Sequence, residues 1–151
     1  MYKIHVEKEL KMPINKAFEA ITDHANYSLY AGIKKSSLLR SGKENKNGVG
    51  AVREIVAGAL TLQVEIVDYE YPHKMGYRIT SCKPVGMHHP FGEINLEKLD
   101  DNLTKVVWQS EFGFKVPLIG NTIDQFVGPN FSKAFASLLR GMEKRYIFFN
   151  K

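Results

Sequence analysis

Residues 121–149 read NTIDQFVGPNFSKAFASLLRGMEKRYIFF, and their apolar side chains recur every three or four positions. This spacing places the apolar side chains on one stripe of an α-helix. Roughly 27 residues make a helix about 40 Å long, which exceeds what core packing in a small domain requires. The segment therefore predicts a long amphipathic helix. Its stripe consists of Ile123, Phe126, Val127, Phe131, Ala134, Phe135, Leu138, Leu139 and Met142.

The segment 33–114, which precedes that helix, is divided by turn signals into pieces with the alternation of β-strands. We predict six strands. Spacings of about 10 to 15 residues leave no room for crossover helices, so neighbouring strands should pair antiparallel as a meander. A doubly wound parallel sheet is excluded. The turn signals are Asn47-Gly48, Gly58-Ala59, Tyr71-Pro72-His73, Pro84-Val85-Gly86 and Asp100-Asp101-Asn102.

The first 32 residues predict one more strand and two short helices. Residues 1–10 alternate apolar and charged side chains, which is the pattern of a half-buried strand. Pro13 suits a first helical turn, and apolar residues follow it at helical spacing. Asp23 can accept hydrogen bonds from the free amides of a second short helix that Gly32 ends.

Together these elements predict an α+β helix-grip architecture, in which a curved seven-stranded antiparallel sheet wraps around the long C-terminal helix. Two short helices follow the first strand. No linker or repeat is visible, so residues 1–151 should form a single domain. A long helix cannot press evenly on a strongly curved sheet, and we expect a ligand-sized gap between the two.

Composition excludes several classes of protein. The chain has 151 residues, of which 44% are hydrophobic and 25% charged, and Cys82 is its one cysteine. A disulfide framework and a thiolate metal cluster are therefore excluded. The N-terminal residues do not resemble a signal peptide, and no apolar run of about 18 residues predicts a transmembrane segment. We expect a cytoplasmic protein.

The net charge of +5 is partly local. Five basic residues between positions 34 and 46 face only Glu44, which predicts a modest basic edge. Nucleic-acid binding is disfavoured, because this stretch is sparse in charge and has no aromatic side chains for stacking. The edge is either simply solvated or attracts an anionic lipid, a ligand or a macromolecular partner. It consists of Lys34, Lys35, Arg40, Lys43 and Lys46.

Four stretches of the chain resemble the START-like superfamily (SRPBCC), and specifically its polyketide cyclase/dehydrase and lipid-transport-like branch. They are residues 13–23, residues 48–54, residues 64–69 running into Pro72, and residues 104–108. The resemblance covers nearly the whole chain and implies the helix-grip fold. Members of this superfamily include lipid and sterol carriers and aromatic-ring cyclases, so the fold indicates the binding mode better than the activity. No catalytic motif of a characterised branch can be matched here, and none is carried over.

His88 and His89 are candidates for chemistry. Adjacent residues of a strand point to opposite faces, so the pair cannot chelate one metal ion, and we predict no metal site and no cofactor. If the register of Ile94 and Leu96 continues backward, His88 faces inward and could act as an acid, a base or a hydrogen-bond donor. A bulge at Pro90 would reverse this assignment. The alternative is an ordinary hydrogen-bonded histidine near a strand end.

Arg53 and Glu54 also point to opposite faces of a strand. Ala51, Arg53 and Ile55 form one face, and position 54 lies on the other between two valines, so the pattern does not decide which charge faces inward. An inward charge is costly unless it is paired or binds a ligand. Both residues are therefore candidate polar anchors.

Several side chains are predicted to line the gap, either as cavity walls or as ordinary core. Trp108 is in phase with Ser110 and Phe112 along one predicted strand, and Tyr77 faces the same side from another. On the helix, Phe126, Phe131 and Phe135 form an aromatic stripe.

The sequence thus predicts binding of an apolar or amphipathic small molecule, such as a lipid, a polyketide or an aromatic compound. An alternative is a cyclase or dehydratase that uses the same cavity, with His88 or Glu54 moving a proton. A third hypothesis is a protein-interaction module that uses the basic edge.

Overall fold

A computed structural model describes residues 1–150; Lys151, the last residue of the predicted domain, lies outside the described residues. Seven strands and two α-helices follow one another along the chain, with a short 3₁₀ helix between α1 and β2. The elements are β1 (Tyr2–Leu10), α1 (Ile14–Thr22), the 3₁₀ helix (His24–Leu29), β2 (Lys35–Arg40), β3 (Val52–Ala57), β4 (Leu60–Glu70), β5 (Lys74–Lys83), β6 (Met87–Asp100), β7 (Leu103–Phe114) and α2 (Gly120–Phe149).

The strands form one antiparallel sheet in the order β1-β7-β6-β5-β4-β3-β2. Strands β2 to β7 make the predicted meander, and β1 joins its far edge beside β7. The α+β helix-grip prediction is confirmed. The long helix α2 has 30 residues and runs along β1 and β7.

The core lies between the sheet and the helices. Alternate residues of each central strand face it, including Ile66, Met75, Ile94 and Val106, all fully buried. The second half of α2 is pressed tightly onto this core, and it contributes the buried side chains of Leu138, Leu139 and Met142.

The first half of α2 touches the sheet at Gly128. A Cβ atom added at this glycine would lie 2.4 Å from ring atoms of Tyr2 on β1, which is far inside van der Waals contact. The helix continues through Pro129, the next residue. Glycine at this position thus lets the helix backbone approach the edge of the sheet.

Replacing Gly128 with alanine is expected to destabilise the protein, although alanine favours an α-helix over glycine by about 1 kcal/mol. The added methyl group collides with Tyr2, and overpacking of this kind costs about 1–3 kcal/mol. The free energy of unfolding in urea should therefore fall. In a Tyr2→Ala background the same change should raise it by up to about 1 kcal/mol. Equal losses in the two backgrounds would contradict the contact between α2 and β1.

Candidate functional site

An apolar opening lies between the first half of α2 and one end of the sheet. We call it the mouth; its volume is about 380 Å³. The β3–β4 turn, the β5–β6 turn and the end of β7 form one side, and α2 forms the other. The lining residues are Ala57, Gly58, Ala59, Leu60, Pro84, Val85, Phe114, Val116, Ile123, Val127, Asn130 and Phe131.

Aromatic rings lead inward from the mouth between α2 and β7. The ring of Phe131 lies 5.1 Å from that of Phe112 and 6.4 Å from that of Phe114, measured between centroids. Deeper in, Trp108 and Phe135 are stacked face to face at 4.1 Å. We call these five residues the aromatic cluster; it fills the space in which the sequence predicted a gap.

Buried polar side chains lie beyond the aromatic cluster, on β5, β6 and β7. The indole nitrogen of Trp108 donates a hydrogen bond to the Tyr77 hydroxyl at 2.8 Å, and Ser110 Oγ lies 2.8 Å from His89 Nε2. The two pairs are neighbours: burial raises the pKa of the Tyr77 hydroxyl, and the Ser110 hydroxyl beside it partly opposes this effect. We call Tyr77, His89, Trp108 and Ser110 the polar chain; each is less than a tenth exposed.

The backbone fixes the tautomer of His89. The amide of Ile79 donates to Nδ1 at 3.1 Å, so Nδ1 is an acceptor and Nε2 carries the proton toward Ser110. Burial, with the positive charge of Arg78, lowers the pKa of His89 to about 4. His89 is therefore a neutral hydrogen-bond donor near pH 7 and has no free lone pair. The Ser110–His89 pair is consequently not an activated nucleophile.

Gly92 on β6 makes room for this arrangement. A Cβ atom there would lie 2.6 Å from the His89 ring and 2.7 Å from the Tyr77 ring, which are stacked on each other at 5.2 Å. Glycine inside a strand commonly marks such a close approach. The sequence analysis did not single out Gly92, although its place within a strand was a usable signal.

The predicted orientation of the two histidines was wrong. His88 is exposed and His89 is buried. The pairing of β6 with β7 shifts register between His88 and Phe91, so the alternation read backward from Ile94 changes phase there. This is the bulge at Pro90 that would reverse the assignment.

The placement of Phe126 as a wall residue was also wrong, because 80% of its side chain is exposed. At about 100° per residue, Phe126 is turned roughly 140° from Phe131 around the helix axis. The structure brings the other wall candidates together. Tyr77, Trp108, Ser110 and Phe112 are buried, and Phe131 and Phe135 are half-buried against them.

Arg53 is the inward-facing member of the Arg53–Glu54 pair. It is fully buried, whereas Glu54 is half-buried on the other face of β3. Its Nη2 donates to the carbonyl oxygens of Thr22 at 3.0 Å and Asn47 at 3.1 Å, and its Nη1 donates to His24 Nδ1. The Nε atom has no hydrogen-bond partner.

These contacts hold the end of α1 and the β2–β3 loop, and none reaches the polar chain. Burial lowers the pKa of Arg53 to about 10. Burial, together with the charge of Arg53, holds the pKa of His24 well below its ordinary value. The sequence analysis did not single out His24, which stands in no recognisable motif, and it assigned Asn47 only to a turn.

The basic edge is divided in the structure. Lys34 and Lys35 lie beside Val56, at the mouth end of the sheet. Lys43 and Lys46 lie in the β2–β3 loop, beyond the opposite end of β2. Arg40 approaches Glu65 at 4.0 Å.

Residues 1–150 contain neither a metal-ligating cluster nor a membrane-spanning helix. No three His, Cys, Asp or Glu side chains there are grouped so that they could hold a metal ion. No helix in that range combines the length and the hydropathy needed to cross a membrane.

Solved structures share this architecture. Protein TTHA0849 from Thermus thermophilus matches with a TM-score of 0.78 and 14% identity over 99% of this chain and 100% of its own. A START superfamily protein from Mycobacterium smegmatis matches with a TM-score of 0.78 and 10% identity over 97% and 99%. The Zhui aromatase/cyclase from a Streptomyces species matches with a TM-score of 0.72 and 18% identity over 96% of each chain. These likenesses show the fold.

No curated protein matches the chain significantly. The family model described as "Polyketide cyclase / dehydrase and lipid transport" matches residues 1–146. This match covers nearly the whole sequence and confirms the resemblance found in it. The chain belongs to the polyketide cyclase/dehydrase and lipid transport family.

Proposed function

We propose that the protein binds an apolar or amphipathic small molecule that carries a carbonyl or hydroxyl oxygen. The molecule enters at the mouth and lodges between α2 and β7. One observation carries the proposal: a hydrogen-bonding polar chain is buried at the inner end of an aromatic cluster that begins at an apolar opening.

The mouth suits such a ligand in size and character. Its volume of about 380 Å³ falls within the range of small-molecule pockets, which is about 300–1,000 Å³. The two helix aromatics of the cluster, Phe131 and Phe135, are only half-buried. Rotation of these side chains would extend the mouth inward, and a planar ligand could then take the place of Phe135 on the face of Trp108.

The polar chain supplies recognition of an oxygen atom. His89 presents an N–H group, and the Ser110 hydroxyl can rotate to donate or to accept. A ligand carbonyl that reached this point would replace Ser110 as the acceptor from His89. Apolar contact with the aromatic cluster would drive binding, and the hydrogen bond would set the orientation of the ligand.

A second candidate function is catalysis of the cyclase or dehydratase type, and the state of His89 favours one form of it. A neutral imidazole that donates through Nε2 can polarise a carbonyl, as neutral histidines do in some isomerases. It would not remove a proton, because Nδ1 is occupied by a backbone amide. His88 and Glu54, the acid–base candidates of the sequence analysis, both lie outside the polar chain.

The protein-interaction hypothesis placed the contact on the basic edge. In the structure Lys34 and Lys35 lie at one end of β2 and Lys43 and Lys46 beyond the other, so no observation favours this hypothesis over ligand binding.

Ligand binding can be measured through Trp108, the one tryptophan of the chain. We expect emodin, a planar hydroxylated anthraquinone, to quench its fluorescence saturably. Asn130→Phe, at the exposed rim of the mouth, should weaken binding about tenfold by narrowing the opening. Lys133→Phe is the matched control, because Lys133 is also exposed and lies three residues further along α2. Equal affinities of the two variants would contradict entry through the mouth, and an unquenched wild type would contradict the site.

The pH dependence of stability tests the neutral state of His89. The pKa of His89 is about 4 in the folded protein, against 6.5 as the ordinary value. Stability is therefore full above pH 6.5 and falls toward pH 4, since the unfolded chain takes up the proton first. The contribution of His89 to this decline is about 1 kcal/mol per pH unit.

We expect the His89→Gln variant to show a shallower decline than the wild type when urea denaturation is followed between pH 6.5 and about 4. His88→Gln serves as the control, because His88 is exposed and should leave the slope unchanged. A His89→Gln slope as steep as that of the wild type would show that His89 is not buried in its neutral form.

A further inference from the structure

Large apolar side chains are exposed beside the mouth. Leu118 is fully exposed, Ile119 is 56% exposed and Phe126 is 80% exposed. Ile119 lies one helical turn before Ile123, which lines the mouth, and Phe126 directly precedes Val127, which also lines it. We call Leu118, Ile119 and Phe126 the apolar rim.

The backbone presents Leu118 to solvent at a cost. Its φ angle is +69°, in the left-handed region that residues other than glycine, asparagine and aspartate rarely adopt. A leucine at this position has a fully exposed side chain and a strained backbone, and no packing contact within residues 1–150 accounts for either. Contact with an apolar environment outside the protein would bury this side chain.

The charged side chains around the apolar rim are all positive. The N-terminal residues 1–3 lie at the mouth end of the sheet, since Tyr2 pairs with Phe112, and they contain Lys3 and no acidic residue. Four further segments reach this end, residues 33–36, 56–61, 82–88 and 113–123, and they contain four lysines but no aspartate or glutamate. The lysines are Lys34, Lys35, Lys83 and Lys115, all exposed. The nearby carboxylate of Asp124 is buried and pairs with the Met1 ammonium group at 3.0 Å.

The opposite end of the molecule differs. Its loops mix both signs, with Lys43 and Lys46 near Glu44, and Asp100 and Asp101 in the β6–β7 turn. The excess of positive charge at the mouth end is therefore a property of that end and not of the whole surface.

We propose that the mouth end docks on a membrane surface that contains anionic phospholipids. The apolar rim would insert at the boundary between headgroups and acyl chains, and the four lysines would contact the headgroups. A fluid anionic bilayer matches this surface, because its acyl chains accept exposed apolar side chains and its headgroups attract the positive charges of flexible lysine side chains. This inference rests on the proposed function, because it places the ligand entrance against the bilayer, where an apolar ligand can pass without crossing water.

The test is cosedimentation of the full chain with vesicles of equal parts phosphatidylserine and phosphatidylcholine, and with vesicles of phosphatidylcholine alone. We expect binding to the mixed vesicles that weakens with added salt. Each lysine near an anionic surface contributes about fivefold to the partition coefficient, so Lys83→Glu with Lys115→Glu should lower it more than about twentyfold. Lys43→Glu with Lys46→Glu is the matched control, since it changes the net charge equally at the opposite end.

The apolar rim is tested in the same way. Leu118→Asn, which suits the left-handed backbone, combined with Phe126→Ser should also release the protein from the vesicles. Phe149→Ser is the control, because Phe149 is 66% exposed at the far end of the same helix. Since Leu118 and Phe126 point away from the aromatic cluster, the rim variant should keep its affinity for emodin.

Three results would overturn the proposal. They are a wild type that stays in the supernatant with both kinds of vesicle, binding that does not depend on phosphatidylserine, and equal losses in the mouth-end and far-end variants. A protein that sediments with mixed vesicles but does not bind emodin would retain the docking surface and contradict the proposed ligand site instead.

Discussion

The way α2 is seated in the curved sheet governs the rest of the structure. The second half of the helix buries Leu138, Leu139 and Met142, and hydrophobic burial of this kind is the main stabilising term in a small domain. The first half approaches the sheet closely at Gly128 and is tied to β7 by the buried Asp124, which accepts a hydrogen bond from the Phe114 amide at 2.8 Å. Half-buried phenylalanines lie beneath this half, and an apolar opening lies at its side. One helix thus closes the core at one end and borders an apolar opening at the other.

The interior contains polar groups, and the structure satisfies them in two different ways. On β5 to β7, Tyr77, His89, Trp108 and Ser110 satisfy one another, and burial lowers the pKa of His89 to about 4, so that its ring is neutral near pH 7. On the other side of the core, Arg53 retains a buried charge and binds backbone carbonyls of α1 and the β2–β3 loop instead of a carboxylate. In the proposed function the first arrangement exchanges one of its hydrogen bonds for a ligand oxygen, whereas the second arrangement ties segments of the chain together.

The mouth, the apolar rim and the exposed lysines all lie at the same end of the molecule. Their shared location connects the proposed ligand site with the proposed membrane-docking surface. The strand ends and turns that form the mouth also carry the exposed lysines. An antiparallel meander returns every second turn to the same end of the sheet, which brings these turns together. Residues far apart in sequence, such as Lys34 and Lys115, therefore reach one surface. The loops of the opposite end have a mixed charge, and the pocket beside them is lined by the charged and polar side chains of Lys11, Asp100, Asn102 and Asn150 as well as by Leu103, Tyr146 and Ile147.

The sequence by itself determined the order of elements, the antiparallel meander, the long amphipathic helix and the inward direction of Tyr77, Trp108, Ser110 and Phe112, because these follow from local periodicity and turn residues. Only the tertiary structure decided which neighbour of each polar pair faces inward. In β6 a register shift turns His89 inward instead of His88. In β3 both faces carry apolar residues, so only the packing of β3 against α1 and the 3₁₀ helix decides that Arg53 is the buried member of its pair. The basic edge was divided because β2 separates Lys34 and Lys35 from Lys43 and Lys46. Phe126 is a different case, since helical periodicity alone turns it roughly 140° from Phe131. Periodicity within a strand or helix determines which side chains share a face. Bulges and the packing of other elements determine whether that face is buried in the core or exposed to solvent.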